Sequence, residues 1–161
     1  MRHAQAEQTA ATDLERELLN GGREDAAEAG SWLARHGISP DHALVSAATR
    51  TRQTWEALAA AAGWVLEAAV DRGLYTASPE TALDLMRQTP DGAGTLVVVG
   101  HNPTVAYLAQ LLDDGEGDVQ ASNEMAMGYP AAAVTVMEYD GAWADLDAGT
   151  ARVTAFHVGR A

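Results

Sequence analysis

The sequence predicts an α/β fold in three layers, with a mostly parallel central sheet and helices on both faces. Two observations carry this expectation. Helical and strand-like segments alternate through the first two thirds of the chain, and strands dominate its end. The β-branched run Thr95-Leu96-Val97-Val98-Val99, closed by Gly100, reads as a continuous apolar strand buried on both faces. With 161 residues, 47% of them apolar, the chain is expected to form one domain over 1–161 and to bury a core without disulfide or metal.

The elements follow in order. From Leu14 to His36, apolar positions recur at helical spacing through Ala26, Ala27, Trp32 and Leu33, with Gly37 as a C-cap. Ala43 to Ser46 reads as a short buried strand. Thr51 to Ala62 reads as a helix ended by Gly63. Val65 to Val70 is a further strand candidate. Ser78-Pro79-Glu80 has the serine N-cap and N1 proline of a helix start, running to about Gln88. Thr104 to Leu112 is a short amphipathic helix, followed by an acidic turn over Asp113 to Gly117. Ala132 to Tyr139 and Arg152 to Val158 alternate as strands around a turn at Asp140-Gly141.

Composition narrows the function. Cysteine is absent, which excludes thiol catalysis, disulfide scaffolds and thiolate metal sites. The net charge is −13, and every fixed cation is an arginine; there is no lysine. Such a chain cannot easily present the basic face that nucleic acid needs. No apolar run approaches the roughly 20 residues that span a bilayer, so no membrane partner is expected. The expected location is the cytoplasm. His36, His42 and His157 lack a ligand spacing and read as structural or surface residues. No metal and no cofactor is expected.

In an open parallel sheet, ligands bind beyond the carboxyl ends of the strands. Three segments place reactive residues there. His101 follows Val99-Gly100, and Asn102-Pro103 then opens a helix whose free N–H groups favour an anion. Arg50 follows the Ala43–Ser46 strand and can grip a phosphate bidentately. Arg52, two positions on, faces elsewhere on its helix. Arg2-His3 opens the chain. Taken singly, these are a strand-end histidine, an exposed helix-start arginine and a terminal pair. Together, two arginines and two histidines describe an electropositive pocket on an acidic protein.

Arg2-His3-Ala4 resembles the Arg-His-Gly/Ala signature of the histidine phosphatase superfamily, the phosphoglycerate-mutase-like proteins. Ser46 to Thr54 is similar to its second segment, in which a serine precedes a phosphate-binding arginine by four places and a threonine follows four later. Gly100-His101-Asn102-Pro103 resembles the second histidine segment of the SixA-type phosphohistidine phosphatases, and Leu18 to Ala27, with Gly22-Arg23, resembles a helix start of that branch. The resemblance implies that His3 is the nucleophile that becomes phosphorylated. It implies that Arg2, Arg50, His101 and Asn102 bind the phosphoryl group, with no metal. The expected substrate is then a phosphohistidine protein, with a small phosphorylated metabolite as the alternative. A non-catalytic module that binds phosphoryl groups remains the third possibility. A protein partner with a basic docking face would suit the acidic exterior.

Two departures from the family pattern bear on this. The family carries a hydrophobic strand before Arg-His, and here only Met1 precedes it. The first strand is therefore expected to be missing or truncated, with Met1 the end of a longer strand; otherwise the short chain is unstable or edge-swapped. Many members also place a glutamate in the segment after the mid-chain strand to protonate an alkoxide. Here that segment is Leu74 to Glu80, and Glu80 is the one candidate acid. A missing acid suits a good leaving group such as the nitrogen of phosphohistidine.

Overall fold

The computed structural model describes residues 1–160 and has the expected α/β architecture. Strand β1 (His42–Ser46) lies between β2 (Ala69–Asp71) and β3 (Leu96–Val99), and both pairings are parallel. Strands β4 (Ala133–Glu138) and β5 (Arg152–Val158) form an antiparallel pair. The helices are α1 (Asn20–Arg35), α2 (Thr49–Ala62), α3 (Pro79–Arg87), α4 (Thr104–Leu112) and α5 (Val119–Met127).

Period-two alternation along the parallel strands separates the layers. Ala43, Val45, Val97 and Val99 face Leu33 of α1 and Trp55 and Leu58 of α2. Leu44, Leu96 and Val98 face Leu83 of α3 and Leu108 and Leu112 of α4. A third cluster joins Val105 and Ala109 of α4 and Met125 of α5 to Ala133 and Val153. Helix α1 approaches α2 closely because position 30 is glycine: a Cβ there would lie 2.1 Å from the Leu58 carbonyl oxygen. Gly63 ends α2 in the left-handed conformation, φ 73°.

Residues 1–3 join the two sheets. Gly100 donates its N–H to the Met1 carbonyl (3.0 Å), and His3 N–H donates to the Gly100 carbonyl (3.0 Å). On the other side Arg2 N–H donates to Ala133 O (2.9 Å), and Ala132 N–H donates to His3 O (3.2 Å). The Met1 amine donates to Val98 O (2.8 Å), and burial lowers its pKa to about 5. Beyond Met1 the strands are not bridged. A cleft of about 610 Å³ lies there, lined by Leu96, Val97, Val98, Val134, Thr135 and Val136. Residues 1–3 thus stand where the first strand was expected, as an isolated parallel bridge between Arg2 and Gly100 rather than a strand.

Several expected elements differ. Leu14–His36 is not one helix: Asp13–Glu15 form a 3₁₀ turn, and α1 begins at Asn20. The Val65–Val70 strand is reduced to β2; Val65 is fully exposed, and only 69–71 find a partner in β1. Leu96–Val98 are half-buried rather than buried on both faces, because the cleft opens beside them. Helix α5 had no counterpart in the sequence reading. It is started by Asp118, whose Oδ1 accepts the Ala121 N–H at 2.8 Å.

Because the Leu58 carbonyl cannot leave α2, Gly30→Ala is expected to lower stability by about 1–3 kcal/mol, the usual cost of overpacking. Urea unfolding of the variant checks this; an unchanged midpoint would contradict the close α1–α2 contact.

Candidate active site

The carboxyl ends of β1 and β3 and the segment between the sheets carry the four residues singled out by the sequence. His101 follows β3, Arg50 lies in the first turn of α2, and Arg2 and His3 sit between Gly100 and Ala133. The structure brings His3, Arg50 and His101 together, with Arg2 near enough for its charge to act on His3. The His3 and His101 ring centroids are 5.3 Å apart. Arg50 Nε is 3.3 Å from His3 Nε2, and Arg50 Nη2 is 3.4 Å from His101 Nδ1.

His3 has a defined tautomer. Its Nδ1 lies 2.8 Å from the Ala4 carbonyl oxygen, which can only accept, so Nδ1 carries the proton. Nε2 therefore keeps its lone pair, aimed at the Arg50 edge. Ala4 is itself fixed by its N–H to Thr54 Oγ1 (3.1 Å), from within α2. His101 is held from behind by Ser46, whose Oγ is 2.7 Å from Nε2. Both rings are neutral at pH 7. Burial lowers the pKa of His3 to about 4, and Arg50, Arg2 and Arg16 add to the shift against the Ala4 hydrogen bond. Burial lowers that of His101 to about 3, reinforced by Arg50 and His3.

Arg2 donates Nη1 to the Tyr129 carbonyl (2.9 Å), while its buried Nε has no partner among the described residues. A buried unpaired donor is costly, and on an arginine whose charge is felt by His3 it is suited to receive an oxyanion. Asn102 donates Nδ2 to the same Tyr129 carbonyl (2.8 Å), so that donor is already engaged in holding the wall. Arg52 is exposed, as its helical spacing implied. Glu80 stands exposed in the first turn of α3; its own backbone N–H and Ser78 hold its carboxyl below the ordinary range, so it is ionised.

The sequence reading missed three participants. Asp13 accepts from Arg50 Nη2 (3.0 Å), from Arg16 Nη1 (2.8 Å) and from the Tyr75 hydroxyl. The Tyr75 ring also sits edge-on to His101, centroids 5.5 Å apart. Residues 5–13 lack apolar periodicity, and the helical spacing read from Leu14 onward placed Arg16 in a helix, so nothing in the sequence marked Asp13 or Arg16. Among the described residues no group of three or more His, Asp or Glu is arranged to hold a metal ion. His36 and His157 lie elsewhere, flanking the Trp32 ring.

Residues 1–76 match the family model of the histidine phosphatase superfamily (branch 1). An uncharacterized protein of Mycobacterium tuberculosis is 35% identical over 99% of this chain and 100% of its own length. The candidate phosphohistidine phosphatase SixA from Nakamurella multipartitia superposes with a TM-score of 0.86 at 32% identity, over 100% of this chain and 94% of that one. The chain belongs to the histidine phosphatase superfamily. Its SixA-type character is supported by a second candidate SixA, from Agrobacterium tumefaciens, with TM-score 0.81 and 26% identity over 98% of this chain and 94% of that one. His3, Arg2, Arg50 and His101 thus belong to a histidine phosphatase fold.

The neutral imidazoles link the site to stability. Their folded-state pKa values lie below the ordinary 6.5, so the unfolded chain binds more protons between about pH 4 and 6.5. Stability is therefore lost as pH falls through that window. Denaturant midpoints are expected to rise from pH 4 to about pH 6.5. A flat or falling curve would contradict neutral buried rings.

Proposed function

We propose that this protein is a phosphatase that works through a phosphohistidine at His3 and acts on phosphohistidine carried by a protein. The chief support is the way His3 is held, with Nδ1–H fixed on Ala4 O and the Nε2 lone pair facing the Arg50 edge. A neutral imidazole so oriented is ready to attack phosphorus. The Nε–P bond forms as the substrate P–N bond breaks, and the departing imidazole takes a proton from water. Arg2 Nε, the Arg50 edge and His101 Nδ1 surround the place where the equatorial oxygens carry charge, and Asn102 holds the wall that positions Arg2. Water then attacks phosphorus, the Nε–P bond breaks, and inorganic phosphate and neutral His3 are restored.

The leaving group decides the substrate class. Asp13 and Glu80 both have their carboxyls held below the ordinary range, so neither carries a proton to give at pH 7. An alkoxide leaves poorly without such an acid, whereas the imidazole of phosphohistidine is a much better leaving group. This favours a phosphoramidate over a sugar phosphate. Arg2 and Arg50 supply the positive charge that the transition state needs, and neutral His101 can add only a ring hydrogen bond, so the chemistry requires no metal. The acidic exterior, net −13, suits a protein partner with a basic docking face.

Incubation with a phosphohistidine protein labelled on phosphorus is expected to give an acid-labile phosphoenzyme, absent in His3→Ala and insensitive to chelator. Tight phosphate binding with no adduct would instead indicate a non-catalytic module, and faster turnover of sugar phosphates would overturn the substrate class. Arg50→Ala is expected to lower kcat/KM by about a hundredfold or more, since a charged clamp is lost. Exposed Arg52→Ala is expected to leave it within about threefold. Equal losses would contradict the assignment of Arg50.

A further inference from the structure

We propose that Asp13 is a positioning residue for the phosphoryl-binding arginine: it grips the outer end of the Arg50 guanidinium so that the opposite edge stays aimed between His3 and His101. The catalytic consequence rests on the phosphatase reading above; the brace itself rests on geometry.

A guanidinium is a planar fork with two usable edges. The end edge offers one hydrogen from each Nη; the side edge offers Nε–H with the other Nη2 hydrogen. In Arg50 the end edge is taken by one residue. Nη1 donates to the Asp13 backbone carbonyl (2.7 Å) and Nη2 to Asp13 Oδ2 (3.0 Å). The side edge faces the imidazoles, through Nε to His3 Nε2 and Nη2 to His101 Nδ1. Fixing the end edge in two places fixes the plane and tilt of the side edge, which is the part that meets the oxyanion.

Asp13 is held in turn. The Tyr75 hydroxyl donates to Oδ2 and Arg16 Nη1 to Oδ1, while Arg16 is pinned by Nε to Glu7 O (2.6 Å). These donors keep the carboxylate ionised. An exposed ion pair contributes little, but Arg50 is buried at 6% side-chain exposure, so its orientation depends on the partners it has.

Removing the carboxylate has two opposed effects. A negative charge beside the pocket disappears, which strengthens attraction for a resting oxyanion. The Arg50 fork is released, which weakens alignment on the transferring phosphoryl group. A residue needed only for folding would weaken both together.

The experiment uses the full chain with Asp13→Asn and Asp13→Ala. Three quantities are read: the Kd of inorganic phosphate, the single-turnover rate of His3 phosphorylation, and the Arg50 Nε–H resonance by nitrogen NMR. The phosphorylation rate is expected to fall about tenfold or more, the scale of a modest misalignment. Phosphate affinity is expected to hold or tighten, the Arg50 resonance to broaden, and Asp13→Asn to cost nothing further in an Arg50→Lys background. An unchanged rate, a parallel fall in rate and affinity, or an unaltered Arg50 resonance would overturn the proposal. If the wild-type chain never labels His3, the phosphatase reading fails, and the resonance alone still decides the brace.

Discussion

The position of the nucleophilic imidazole depends on a short backbone ladder. Four hydrogen bonds hold Met1, Arg2 and His3 between Gly100 on one side and Ala132 and Ala133 on the other. Backbone ladders are directional and tolerate little drift in register. The same bonds join the parallel sheet to the antiparallel pair, so one short segment both closes the sheet and presents His3. Gly100 is central to both roles. It ends β3, exchanges bonds with residues 1–3, and is followed at once by His101.

Electrostatics is the second constraint. The protein is strongly acidic overall, yet the site concentrates Arg2, Arg16 and Arg50 around two histidines. Cations crowding a half-buried ring disfavour its protonated form, so the arginines that would bind an oxyanion also keep the nucleophile free of a proton. Asp13 offsets part of that positive charge from the outer side of Arg50. Ser46 serves His101 much as Ala4 O serves His3: each ring has one nitrogen engaged in the protein and the other turned toward the shared space.

Much of this was legible in the sequence, because the site is built where local signals are strongest. Gly100 and Pro103 punctuate the end of a β-branched run, and Arg50 follows a short apolar strand closely, so both strand ends could be located. Arg50 and His101 could then be placed at strand ends, whereas the roles of Arg2 and His3 came from the resemblance of Arg2-His3-Ala4 to the family signature. The supporting residues were not legible. Asp13, Arg16 and Tyr75 lie in a loop and two 3₁₀ turns, whose path is set by tertiary contacts rather than periodicity. The Val65–Val70 pattern misled because Trp64, Leu66 and Ala68 pack on the core in extended chain without a strand to pair with. Helix α5 had a usable signal in Asp118, with Ala121 and Met125 four apart on one buried face, but its weak polarity contrast hid it.

The cleft between the two sheets has a mechanical corollary. Its walls, Leu96 to Val98 and Val134 to Val136, lie directly behind the backbone ladder that carries His3. A change in the width of that gap would reach the reactive ring through Gly100 and Ala133, so the two walls act as a lever on the site.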